Sequence, residues 1–205
     1  MTQHSDDDQR MIRLQQGDSR AFDELVTEWQ GPLFGFFLRN TRDRTLSEDL
    51  VQETLLRLYR AAWDYLPTGQ FRGWLFRIAR NLVIDHTRRA YRDALVRRVH
   101  IKSDSADSST TDILSLLPAE IVSPADRASQ SELGDMVNDL LNELPEEQRE
   151  TFHLHHFNSL TLSEIADAMH TTLPTAKSRL RLAKEKLKYQ LSCRGFSEGT
   201  TSKMT

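Results

Sequence analysis

Between Phe71 and Arg98 the chain reads FRGWLFRIARNLVIDHTRRAYRDALVRR, and this stretch restricts the fold more than any other. Phe71, Trp74, Leu75, Ile78 and Leu82 recur at intervals of three and four, so they form one stripe of a long α-helix that is stable only when other helices cover it. The remaining faces are basic. Arg72, Arg77, Arg80, Arg88, Arg89, Arg92, Arg97 and Arg98 stand against Asp85 and Asp93 alone, a local charge of +6 in a chain whose net charge is -3. That much positive charge on one amphipathic helix, with aromatic residues at its start, suits a surface that follows a phosphate backbone and offers rings for bases to stack on. The competing reading is a solvated arginine face on an ordinary bundle helix.

The rest of the composition narrows the class. With 205 residues and 38% hydrophobic content the chain can build two small cores. The single Cys193 excludes an internal disulfide framework and fits a reducing compartment. No apolar run approaches the roughly 18 residues of a membrane span, and the start, MTQHSDDDQR, is acidic where a secretory signal is basic and then apolar. A cytoplasmic protein without membrane insertion is expected. Glycines are few, strand-like alternation is missing and helical spacing runs almost throughout, so the fold class is all-α.

In chain order, Asp6 to Gln16 reads as a first helix stopped by Gly17, and Asp18 caps a second on which Phe22, Leu25, Val26 and Trp29 share a face. Gly31-Pro32 is expected to break that helix. The cluster Leu33, Phe34, Phe36, Phe37 and Leu38 that follows is expected in the core. Thr45 with Glu48 has the spacing of a capping box and opens the helix SEDLVQETLLRLYRAAW. On it Leu50, Val51, Thr54, Leu55, Leu58, Tyr59 and Ala62 fall on one broad face, assigned to the core. Asp49, Gln52, Glu53, Leu56 and Arg60 fall on the other. A leucine in an acidic and amide row is out of place on a merely solvated surface and suits a partner's helix. Residues Tyr65 to Gln70 then form a short loop before the basic helix.

After Lys102 the sequence turns to SDSADSSTTD and stays acidic through Pro118 and Pro124. Such a composition cannot support a packed core, so 103–129 is expected to be a flexible linker between a domain at 1–102 and one at 130–192, with 193–205 as a tail. In the second domain Leu133 to Leu144 and Pro145 to Phe157 read as helices. Thr161 and Glu164 form another capping box, with Leu162, Ile165, Ala166 and Met169 facing inward. His170-Thr171 makes a turn, and Thr172 caps a last helix with Pro174 in its first turn. Leu173, Ala176, Leu180, Ala183, Leu187 and Leu191 form its buried stripe, while Thr175, Lys177, Ser178, Arg179, Arg181, Lys184 and Lys186 lie outside. Two helices joined by a tight turn, the second basic and carrying small polar donors, read as a helix-turn-helix.

The segments DLVQETLLRLYRA, FRGWLFRIARNLVIDHTRR and LPEEQRETFHLHHFNSLTLSEIADAMHTTLPTAKSRLRLAKEKL, in that order, resemble the small extracytoplasmic-function group of bacterial RNA polymerase sigma factors. These are similar to the sigma-seventy family reduced to its second and fourth conserved regions. The likeness covers about Gln9 to Arg98 and Leu133 to Leu191. It implies that the helix bearing Asp49, Gln52, Glu53 and Leu56 docks on the clamp helices of core polymerase. It also implies that the loop Tyr65 to Gln70 and the helix from Phe71 recognise and open the minus-ten element of promoter DNA, and that the helix-turn-helix reads the minus-thirty-five element. Tyr65, Phe71, Arg77, Arg80, Asn81, Arg88 and Arg89 are the expected DNA-binding residues of the first domain, and Thr175, Lys177, Ser178, Arg179 and Arg181 those of the second. Core RNA polymerase and promoter DNA are the implied partners, and an anti-sigma factor is one that many members have. Where the family often has glycine this chain has His170 and Pro174, and Leu182 stands where arginine is common.

The physical roles divide in the same way. Lys and Arg neutralise phosphates and provide affinity that falls with salt. Lys177, Ser178 and Arg181 can read base edges in the major groove, and rings such as Tyr65 and Phe71 can receive a base leaving the duplex, with Trp74 favoured as core. A stand-alone helix-turn-helix regulator is the alternative. A metal site on His153, His155 and His156 is disfavoured because helix geometry sends His153 and His155 about 200° apart and no carboxylate pair completes the set. No Ser/His/Asp arrangement, glycine-rich phosphate loop or CxxC motif is present, so neither catalysis nor a cofactor is expected.

Overall fold

The computed structural model describes residues 3–102 and 139–194, and among them there is no β-strand. Helix α1 (Gln3–Gln15) ends where Gly17 takes a φ of +92°, a conformation glycine adopts without strain. Asp18 then caps α2 (Ser19–Thr41) by accepting from the Arg20 amide. Contrary to expectation, α2 passes straight through Gly31-Pro32. Leu33, Phe36 and Phe37 lie beyond the proline and are fully buried, so their packing outweighs the backbone bond that proline cannot make. Leu38, expected in the core, is exposed because it falls on the outer side of that continuous helix.

Helix α3 (Arg44–Ala61) starts earlier than the Thr45–Glu48 spacing suggests. Its N-cap is Asp43, whose carboxylate accepts from the Leu46 amide at 3.0 Å, so Thr45 is already inside the helix. A single 3-10 turn (Ala62–Asp64) leads into the loop before α4 (Phe71–Lys102). In the C-terminal part, residues 139–142 are helical and are followed by α5 (Glu146–His156), α6 (Leu162–Ala168) and α7 (Leu173–Cys193). The Thr161 and Glu164 capping box has both of its bonds, and the Thr172 side chain accepts from the Thr175 amide. His170, at φ +49°, makes the turn between α6 and α7. The linker expected at 103–129 and the tail beyond Arg194 lie outside the described residues.

The two helical groups touch. Leu154, Leu160, Ile165, Ala166, Ala168, Met169 and Ala176 belong to the same buried cluster as the core of α1–α4, while Leu141, Leu144 and Ala183 form a smaller cluster of their own. The closest approach is at Gly73 on α4, where an added Cβ would lie 2.9 Å from the Glu164 carbonyl oxygen and 3.0 Å from its Cα. Around it Arg72 Nη2 donates to the Asn158 carbonyl at 2.5 Å, and Asn158 Nδ2 donates to the Pro32 carbonyl at 3.2 Å. Arg80 pairs with Glu150 at 2.8 Å, and the Arg39 guanidinium stands 4.6 Å over the Phe157 ring.

Candidate nucleic-acid and polymerase interfaces

On α3 the inward face is buried at Leu50, Val51, Thr54, Leu55 and Leu58, which turns Asp49, Gln52, Leu56 and Arg60 to solvent as the spacing requires. Glu53 is half-buried and bonded to Arg57 at 2.8 Å. Tyr59 departs from expectation. It is exposed, its ring meeting that of Phe22 edge-on at 5.1 Å. With Leu56 three residues before it and Trp63 four after, it makes an apolar ridge whose members are 41%, 45% and 59% exposed in the order Leu56, Tyr59, Trp63. Charged and amide side chains flank that ridge, the anatomy of a surface that a partner covers.

The loop before α4 corrects two assignments. Tyr65 and Phe71 are buried, 6% and 1% exposed, so neither ring is open to a stacking base. Each fills a joint between helices: Tyr65 lies 4.9 Å from Trp74 and 5.9 Å from Phe71, and Phe71 lies 5.8 Å from Trp29. Aromatic side chains bury more apolar area than any other type, and these rings are spent on that. The Tyr65 hydroxyl is bonded to Asp8, and burial together with that carboxylate pushes its pKa up, so it stays a proton donor. Trp74 is half-buried against the core, as favoured. The loop instead exposes Leu66, Pro67, Thr68 and Gly69, the last at φ +76°.

Along α4 the basic residues fall into two sets. Arg88, Arg89 and Arg92 are exposed, as is Asn81, and Arg77 is half-buried. Arg72 and Arg80 are engaged: Arg72 also stands 5.5 Å over the Trp29 ring, and Arg80 faces Glu150, whose pKa burial pushes up more than the arginine lowers it.

On α7, Lys177, Ser178 and Arg181 are exposed, Arg181 bonded to Glu185 at 2.8 Å. Thr175 is half-buried in the first turn, its hydroxyl 2.8 Å from that of the N-cap Thr172, and Arg179 is held by Glu147 of α5. Leu173, expected in the buried stripe, is exposed because it is the first residue of the helix, before the stripe reaches its neighbours. His155 Nδ1 lies 3.0 Å from the Leu160 carbonyl, and among the described residues no three His, Cys, Asp or Glu side chains gather as metal ligands.

Residues 25–93 match Sigma-70 region 2, and residues 135–187 match Sigma-70 region 4. RNA polymerase sigma-H factor of Pseudomonas aeruginosa is 31% identical over 90% of this chain and 93% of its own length. The chain belongs to the sigma-70 family of RNA polymerase sigma factors, in its extracytoplasmic-function group. SigW of Bacillus subtilis, an extracytoplasmic-function sigma factor, is 26% identical over 89% of this chain and 95% of its own. Among solved structures, CnrH in complex with the cytosolic domain of CnrY shares the fold, with a TM-score of 0.64 at 21% identity over 92% of this chain and 98% of that one. RpoE of Bartonella quintana, solved in complex with the anti-sigma factor NepR, gives a TM-score of 0.60 at 22% identity over 83% and 96%.

As a sigma factor the chain directs polymerase to promoters, and family membership disfavours a stand-alone regulator. No described helix is long and apolar enough to cross a membrane. Sequence reasoning missed three residues of this sigma factor's surfaces and joints. Trp63 had a signal, its spacing of four from Tyr59 and seven from Leu56, but Tyr59 was assigned to the core and so the ridge was not seen. Gly73 had a signal, an isolated glycine inside a helical pattern, which marks a close approach. Asp8 had none, since its partners are 57 and 61 positions away.

Proposed function

We propose that the sigma factor's tasks are divided among three surfaces. The ridge Leu56, Tyr59 and Trp63, with Asp49, Gln52 and Glu53, docks on core polymerase. The loop tip and the exposed basic face of α4, with Arg77, Asn81, Arg88 and Arg89, engage the minus-ten element. Lys177, Ser178 and Arg181 read the minus-thirty-five element from the major groove, with Thr175 at the helix cap and Arg179 toward phosphate. The observation that carries this reading is the apolar ridge on α3, because three large exposed side chains on one stripe, ringed by charge, need a protein to cover them. Tyr65 and Phe71 act as supports of the loop and not as stacking platforms.

Arg80 reaches DNA only by leaving Glu150, so the two helical groups separate as the promoter is engaged. An anti-sigma factor, like the partner of RpoE, is a further partner consistent with the shared fold. The chain works in the cytoplasm and catalyses nothing itself. The test is to add the purified protein to core polymerase and a promoter library and map start sites that depend on it. Strong sequence-specific promoter binding by the free protein, with no dependent start sites, would refute the scheme.

A further inference from the structure

Two adjacent carboxylates on α1 have different tasks. Asp7 is buried, its Oδ1 accepting from Trp29 Nε1 at 3.3 Å and Arg10 Nη1 at 2.8 Å, and it anchors α1 to α2. Asp8 crosses to the loop before α4. One of its oxygens accepts from the Tyr65 hydroxyl, and the other accepts the Gly69 N–H at 2.6 Å. From the end of the same helix, Gln15 Nε2 donates to the Ala62 and Tyr65 carbonyls at 2.8 Å each. The loop is therefore tied at both ends, and only Leu66, Pro67 and Thr68 stand free between the ties. Helix α1 lies outside residues 25–93, which match region 2.

We propose that Asp8 is a positioning residue for promoter opening: by bridging Tyr65 and Gly69 it fixes the shape of the 66–68 tip and so sets which unstacked base the loop accepts. This rests on the reading of the loop as the part that meets the minus-ten element. A base that has left the duplex has already lost its stacking, so the surface that receives it must be formed in advance, or the binding free energy goes into ordering the loop. A carboxylate suits the task because it only accepts, has one oxygen for each donor, and makes charge-assisted bonds stronger than those between neutral groups. Leu66 and Thr68 supply one apolar and one hydroxyl contact at the tip, and their mutual placement is what Asp8 holds.

The experiment uses the full chain bound to core polymerase and fork-junction templates whose minus-ten element is already single-stranded, varied one base at a time. The readout is the affinity ratio between the preferred base and its substitutes. Asp8→Ala is expected to lower that ratio about tenfold, the loss of one to two partly buried hydrogen bonds, while affinity for core polymerase stays constant. Asp8→Asn keeps one acceptor and falls between. Tyr65→Phe lowers the ratio less, and combining it with Asp8→Ala adds little beyond Asp8→Ala alone. An unchanged ratio beside a lowered melting temperature would make Asp8 merely structural and overturn the proposal. If Asp8→Ala does not fold, an unchanged ratio in Tyr65→Phe overturns it equally. Failure of the underlying reading shows separately, as an absence of base preference in the unsubstituted protein.

Discussion

Gly73→Ala tests how the two helical groups are held together. The new methyl carbon would sit 2.9 Å from the Glu164 carbonyl oxygen and 3.0 Å from its Cα, both backbone atoms of a capped helix, so α6 cannot yield by turning a side chain. Overpacking of this kind costs about 1–3 kcal/mol, and all of it falls on the contact between α4 and α6. Within α4 the change is favourable, because alanine exceeds glycine in helix propensity by about 1 kcal/mol. The substitution therefore separates the groups without weakening either. The equilibrium is expected to move toward the separated form by about 5- to 160-fold, the upper limit applying if no relaxation occurs. Small-angle scattering reads this as a larger radius of gyration, and helicity by circular dichroism stays the same. At limiting sigma factor, transcription from a dependent promoter rises, since Arg80 no longer has to be freed from Glu150. A variant with unchanged dimensions and unchanged transcription would refute the reasoning. So would a loss of helicity, which would show that α4 itself had been damaged.

Three further outcomes are expected. Leu56→Asp changes folding stability by no more than about 0.5 kcal/mol but weakens core-polymerase binding by about 2 kcal/mol; denaturant unfolding checks the first and titration with labelled core enzyme the second. Arg88→Ala lowers the slope of log affinity against log salt by about one without altering sequence preference, whereas Arg181→Ala reduces selectivity at the minus-thirty-five element, as salt-dependent binding to matched and mismatched promoters will show. His153 is buried beside Arg39 and Arg149, and burial, with their charges, lowers its pKa from 6.5 to about 4. The unfolded chain then takes up a proton that the folded protein refuses, so this residue's stability contribution is intact above pH 6.5 and lost as pH falls toward 4. The loss is about 3 kcal/mol. Glu150 and Asp7, raised by burial, act in the opposite direction, so the measurement is the difference between the denaturation curves of His153→Gln and the parent across that range.

What could be read from the sequence was local. The Asp18 cap, the Thr161 and Glu164 box, the Thr172 cap and the outward row on α3 all follow from residues a few positions apart, and each is found in the structure. The errors arise where distant packing overrides a local signal. Gly31-Pro32 does not stop α2 because Leu33, Phe36 and Phe37 have a core to enter. Thr45 is not the cap because Asp43, two residues earlier, accepts from the Leu46 amide and places Thr45 inside the helix. Tyr65 and Phe71 looked available for stacking because aromatic residues where a loop meets a helix serve recognition and core equally well, and only the positions of Trp29, Trp74 and Asp8 decide between them. The joint between the groups was illegible for the same reason: Arg80 and Glu150 are 70 positions apart, and periodicity carries no information over that span.

The electrostatics of α4 connect these points. Its exposed arginines, Arg88, Arg89 and Arg92, lie toward its C-terminal half, while Arg72 and Arg80 near its start are held by the other helical group. A phosphate backbone approaching the closed molecule thus meets the far end of α4 first, at a charge that salt screens readily. Arg80 is a different case. Its partner Glu150 is nearly buried, and breaking such a pair in place would strand a charge at a cost of several kcal/mol. On the reading proposed above, that cost disappears if the groups part, because Glu150 then reaches water as Arg80 reaches phosphate. One ion pair is exchanged for another at little net expense, but only through a movement of whole helices. We therefore propose that opening and promoter engagement are coupled through Arg80, and an Arg80→Ala variant, which leaves Glu150 buried without its partner, is expected to favour the open form while losing the proposed phosphate contact.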